Sequence, residues 1–221
     1  MKPVITVFLM SGMMFCPPQA GAVTAAGSSQ TLTLETTLNN PTCTLSLSQT
    51  LGGGSGVNGS GTVAGSSVSY SMVQPSVLKA AITTGGRVYI LPSLKLQLTC
   101  DAVTGGVSAA GKMTFTGTAS NCVGNASGYL FCGAGTTSQG VGYVFKPGKT
   151  TVVWTGGAPD EAVTSGNTID VLPKGSAITS AAGSVVKDID VGVGIAAGTA
   201  GFSVVKAGHL NTIVNFDFAW K

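Results

Sequence analysis

Charge is scarce in this chain. Eleven Lys and Arg residues and eight Asp and Glu residues make up only 9% of its 221 positions. So few charges exclude a coiled coil, a charged disordered tail and a helical bundle with a salt-bridged surface. The net charge of +3, or +2 without Lys2, is too weak for a nucleic-acid-binding surface. Histidine occurs once, at His209, and no C-x-x-C spacing is present, so no metal or cofactor site is expected. After the first 22 residues no stretch approaches the ~18 to 20 apolar residues of a membrane helix. Yet hydrophobic residues make up 43% and mean hydropathy is +0.41. That apolar content is expected in short buried strands, or at a surface that awaits a partner.

The first segment has the pattern of an export signal. Lys2 gives a basic start, VITVFLMSGMMF is an apolar run, and Ala20-Gly21-Ala22 offers small residues for cleavage. Residues 1–22 are therefore read as a signal peptide and Val23 as the mature N-terminus. Cys16 leaves with the signal, because Met13, Met14 and Phe15 before it are too bulky for a lipoprotein site. Five cysteines then become four: Cys43, Cys100, Cys122 and Cys132. An even number in an exported chain reads as two disulfides, with three pairings. The short, turn-rich loop CVGNASGYLFC favours Cys122–Cys132, which leaves Cys43–Cys100.

Alternation with a period of two recurs along the chain, and helical periodicity does not. Leu94, Leu96, Leu98 and Cys100 share one face of LKLQLTC. Ile189, Val191, Val193 and Ile195 share one face of IDVGVGI, as Met113 and Phe115 do in KMTFT. Clusters rich in Gly, Ser, Thr and Asn lie between them, at 52–67, 102–111, 133–142, 156–159 and 196–201. Short alternating strands separated by turn residues predict an all-β sandwich or barrel. The run LGGGSGVNGSGTVAGSS is read as a long surface loop, since too few mature residues precede it for a separate domain.

Catalytic readings are weak. Serine hydrolysis needs a base, and His209 falls opposite the aromatics of the last strand, near its start. Asp188 and Asp190 alternate with Ile189 and Val191, which marks a solvated strand face; Asp160-Glu161 is an isolated acidic pair. The glycines at 52–61 lack the G-K-[ST] ending of a phosphate loop. Asn58 and Asn125 match a glycosylation triplet, which carries little weight if the protein is bacterial. The chain is expected not to be an enzyme.

The strongest signal is AGHLNTIVNFDFAWK. Leu210, Thr212, Val214, Phe216, Phe218 and Trp220 occupy one face, and burying each large apolar side chain is worth roughly 1.5 to 3 kcal/mol. No further strand follows to pair with it. With Trp220 next to last and Gly208 fourteenth from the end, this segment resembles the pilin subunits of the periplasmic chaperone–usher pathway. In that family the next-to-last aromatic is usually tyrosine. TLTLETTLNNPTCTLSL resembles the family's N-terminal extension running into its first strand, with Cys43 at the first cysteine. LKLQLTC resembles the strand that carries the partner cysteine, Cys100.

The resemblance implies an incomplete immunoglobulin-like β-sandwich that lacks its final strand and is completed by a donor strand. Residues 23–34 would be the N-terminal extension that donates to a neighbour, with Gly27, Leu32 and Leu34 in the donor motif; Ser28 and Gln30 on the same parity are polar. Residues 35–221 would form the pilin domain. Gly208, Leu210, Val214, Phe216, Phe218, Trp220 and Lys221 would bind the chaperone and then the donor strand, with the carboxylate of Lys221 clamped by the chaperone. The implied partners are that chaperone, an outer-membrane usher and neighbouring subunits, and the implied destination is a fimbria on the cell surface. Two alternatives stand beside a structural subunit: a single-domain adhesin that binds a host receptor through its loops, and a secreted, self-contained β-sandwich binding module.

Overall fold

The computed structural model describes residues 40–50, 57–84, 88–102, 106–118, 122, 128–152, 154–155, 158–159, 162–178, 185–197 and 205–221. The expected signal peptide and donor segment, with Gly27, Leu32 and Leu34, lie outside them. The described strands are β1 (Cys43–Thr50), β2 (Gly61–Ala64), β3 (Ser67–Tyr70), β4 (Val88–Cys100), β5 (Gly111–Gly117), β6 (Val141–Pro147), β7 (Trp154–Thr155), β8 (Ala158–Pro159), β9 (Thr168–Leu172), β10 (Val185–Ala197) and β11 (Val214–Trp220). The fold is mostly β, as expected. One antiparallel sheet has the order β1-β4-β10-β6 and a second has the order β11-β5-β9. The pairs β2-β3 and β7-β8 form two small ribbons.

The two sheets share one core. Leu94, Leu96 and Leu98 of β4, Ile189, Val191 and Val193 of β10 and Phe145 of β6 meet Met113 and Phe115 of β5 and Val171 and Leu172 of β9. Alternation in β4 explains its inward leucines: Lys95 and Gln97 between them stay half-exposed. Pro92 lacks an N–H for the ladder, and the β4–β10 register shifts there, so that Val191 opposes Leu94 while Val193 opposes Leu91.

The disulfides are Cys43–Cys100 and Cys122–Cys132. Cys43 and Cys100 are opposite each other in the β1–β4 ladder. The second bridge sits in a smaller cluster with Val88, Leu130, Val144, Val152 and Ala196. These strand residues alternate with those of the main core, so this end of the first sheet is buried on both faces. That explains runs such as VYIL and GIAA, which are apolar without alternation. Gly142 lets the bridge press onto β6: a Cβ there would lie 2.8 Å from Cys122 Sγ.

Two features depart from the sequence expectation. A helix, α1, spans Pro75–Thr84. Pro75 occupies the first helical position, where its missing N–H is harmless, and the Gln74 carbonyl accepts the Leu78 N–H at 3.0 Å. Leu78 and Ile82, four residues apart, are its buried stripe. The Gly/Ser run expected as a loop also contains more order, since β2, β3 and the Gly65-Ser66 turn form a hairpin within and beyond it.

Candidate binding groove

β11 lies on the edge of the second sheet. Val214 pairs with Gly117, Phe216 with Phe115, Phe218 with Met113 and Trp220 with Gly111. The ladder begins at Val214, so Leu210 and Thr212, expected within the strand, precede it. The Phe115 and Phe216 rings meet edge to face at 5.0 Å, as do Phe218 and Trp220 at 5.1 Å. Trp220 Nε1 donates to the Pro41 carbonyl at 2.9 Å, fastening the end of β11 beside the start of β1. Lys221 is exposed, and its backbone exchanges two hydrogen bonds with Ala110.

Among the described residues β11 is laddered to β5 alone and β1 to β4 alone. Between these two edges opens a cavity of about 1190 Å³. Leu45 and Leu47 of β1 and Val214 and Phe216 of β11 form its sides, over Leu94, Leu96, Val193, Ile195 and Phe145. Val68 and Tyr70 of β3 and Leu78 of α1 line one end, with the fully exposed Met72 at the rim. Val214, Phe216, Phe218 and Trp220 are half-buried, whereas Met113 and Phe115 across the ladder are fully buried.

Two phenols stand inside this space. Tyr70 and Tyr143 lie 6.3 Å apart between ring centroids. Tyr70 donates to the Pro92 carbonyl at 3.1 Å and Tyr143 to the Leu210 carbonyl at 3.3 Å. Burial raises both phenol pKa values, and for Tyr70 the neighbouring Tyr143 adds to it. They remain neutral donors across the physiological range.

Gly208 sits just before β11 in a tight crossing. A Cβ there would lie 2.5 Å from Ser138 N and 2.6 Å from Thr137 C. Thr137 and Ser138 both donate their N–H groups to the His209 carbonyl, at 2.8 and 3.0 Å. His209 itself is exposed, with its N–H bonded to Thr137 Oγ1. Any larger residue at position 208 would push these backbones apart and widen the end of the groove.

No protein-family model matches this chain, and no curated protein matches it. The site is therefore read from its chemistry. An apolar trough flanked by unladdered strand edges can accept an extended segment, whose backbone pairs with an edge while alternate side chains fill the trough. Among the described residues no group of three His, Cys, Asp or Glu side chains is placed to hold a metal ion, and no helix is long and apolar enough to cross a membrane.

Of the residues expected to bind a strand, Gly208, Leu210, Val214 and Phe216 line the groove. Phe218, Trp220 and Lys221 lie beyond it, toward the Pro41 end. The contributions of β3 and α1 were not foreseen. PSVLKAAITT does carry a helix signal, in its leading proline and the Leu78–Ile82 spacing, but it is short and stands among strand patterns.

Proposed function

We propose that this chain is a pilin subunit of the chaperone–usher type: an incomplete immunoglobulin-like β-sandwich that polymerises into a surface fimbria by taking a neighbour's strand. The observation that carries the reading is the groove between β1 and β11, with an apolar stretch of leucine, valine and aromatic side chains in its lining and bordered by the edges of both strands. The sequence resemblance at Gly208, Trp220, Cys43 and Cys100 supports it. So does the chemistry of the edge: a half-buried row of Val214, Phe216, Phe218 and Trp220 is an aggregation hazard until something covers it. A periplasmic chaperone would cover it first, an usher would receive the pair, and the next subunit's extension would replace the chaperone. The role is structural and non-catalytic.

The test is export to a bacterial periplasm with and without the assembly chaperone. The chain alone should aggregate or be degraded. The chaperone, or a donor strand appended through a short linker after Lys221, should yield soluble protein. Phe216→Asp should abolish rescue by both. A soluble, stable monomer made alone would overturn the proposal in favour of a self-contained binding module.

A further inference from the structure

Two hydroxyls at the groove lack hydrogen-bond partners. Ser138 is only 8% exposed and its Oγ is buried without a partner, as is Oγ1 of Thr212. Both residues line the groove, at the end where the chain approaches β11. Leaving a buried hydroxyl unpaired costs roughly 1 to 3 kcal/mol. Here the cost is incurred twice, beside a trough that includes leucine, valine and aromatic side chains. Asn211, bonded to Thr136 and so beside Ser138, adds a further polar side chain here, whereas Leu45, Leu47, Leu94 and Leu96 make an apolar stretch of the lining. One rotamer change about χ1 presents either hydroxyl to a new partner.

We infer that the groove selects a strand that is apolar at its centre and carries a hydroxyl or amide side chain where it passes Ser138 and Thr212, and that residues 28–36 of a second copy of this chain are that strand. The inference rests on the donor-strand reading above and adds what the strand must carry. On one parity the segment reads Ser28, Gln30, Leu32, Leu34, Thr36. Two leucines are thus flanked on both sides by side chains that donate and accept. Alternate residues of a strand stand roughly 7 Å apart. Seating Leu32 and Leu34 over the apolar stretch therefore brings Gln30 or Thr36 toward the hydroxyl end, whichever way the strand runs. An entirely apolar strand would leave Ser138 and Thr212 unpaired. The polar residues that weaken the segment as a hydrophobic repeat become the source of its specificity.

The test uses the full chain, refolded with synthetic peptides spanning residues 27–38, either native or carrying Q30V and T36V together. The wild-type chain should bind the native peptide roughly tenfold more tightly, the effect of about one buried hydrogen bond (~1.4 kcal/mol). In the S138A/T212V chain that preference should vanish or invert. S138A alone, should the double variant fold poorly, should reduce it. Equal binding of both peptides by the wild-type chain, or an unchanged preference in the variants, would overturn the inference while leaving the donor-strand reading in place. Binding of neither peptide would overturn the inference, and failure of an appended donor strand to rescue the chain would overturn the donor-strand reading as well.

Discussion

The edge of β6 and the edge of β11 face the same physical problem and meet it differently. Beside β6 runs the segment that leads into Cys132 of the second disulfide: Phe131 and Tyr143 exchange backbone hydrogen bonds at 2.8 and 3.0 Å. The same segment goes on to bond Thr118 through Cys132 N and Asn211 through Gly133 N. Phe131 and Leu130 are fully buried as a result. β11 has no such cover among the described residues, and its aromatics stay half-buried. An edge sealed by its own chain adds to the stability of the monomer. An edge left unladdered reserves its hydrogen bonds and apolar area for association. The contrast separates what folds this chain from what would join it to another.

The largest test of that contrast sets two phenylalanines that touch each other on opposite sides of it. Phe115→Ala removes a fully buried ring and should cost about 3 to 5 kcal/mol in denaturant unfolding. Phe216→Ala removes its half-buried partner and should cost less than half as much in the lone chain. With a donor peptide bound, the penalty at Phe216 should grow while that at Phe115 should not. Equal penalties in both states would mean that the two edges do not differ in kind.

A smaller effect should come from opening the sealed edge. The Cys122–Cys132 bridge closes a loop with a sequence separation of 10, and replacing both cysteines with alanine should cost about 2.5 to 3 kcal/mol by loop entropy. The readout that matters is local. Amide hydrogen exchange at Phe131 and Tyr143 should accelerate by more than at Leu96 and Leu98, which keep both ladder neighbours. Uniform acceleration across the first sheet would show that the bridge supports the whole fold, not the cover over β6.

Much of this architecture can be read in the residues. Alternation marked β5, β11 and the LKLQLTC half of β4 because each has one face toward the core and one outside it, and the expected cysteine pairs are both present. β10 was legible only as an inward row, since burial on its second face depends on the segment around Leu130. α1 escaped notice because two buried residues, Leu78 and Ile82, give little periodicity, and its packing comes from β4 and the groove. The hairpin in the Gly/Ser run was hidden because small residues carry no alternating hydrophobic signal. Val214 and Phe216 were visible as half of a groove, but its other wall belongs to residues more than a hundred positions earlier. Ser138 and Thr212 could not have been picked out at all. A hydroxyl is an orphan only by virtue of what surrounds it in space.

The smallest effect belongs to the outer face of the first sheet. Asp188 of β10 accepts from Lys95 Nζ at 3.1 Å and from Gln97 Nε2 at 3.3 Å, both on β4. The hydrogen bond from Lys95 is the main cause that holds its carboxyl below the ordinary pKa, with Gln97 assisting against some desolvation. A lowered carboxylate pKa stabilises the fold above the unfolded value of about 3.9 and loses that contribution as pH falls through the folded value. The site is solvent-exposed, so the effect is small and salt-sensitive. Asp188→Asn should therefore lower the urea midpoint slightly at pH 6 and low ionic strength, and the gap from wild type should close as pH falls through the lowered folded value. Uptake of the donor peptide at neutral pH should be unchanged, because Asp188 lies on the face away from the groove. A gap that persists into acid would assign its cost to lost packing or hydrogen bonding with no charge component, and a change in peptide uptake would mean that the two edges are coupled through the sheet between them.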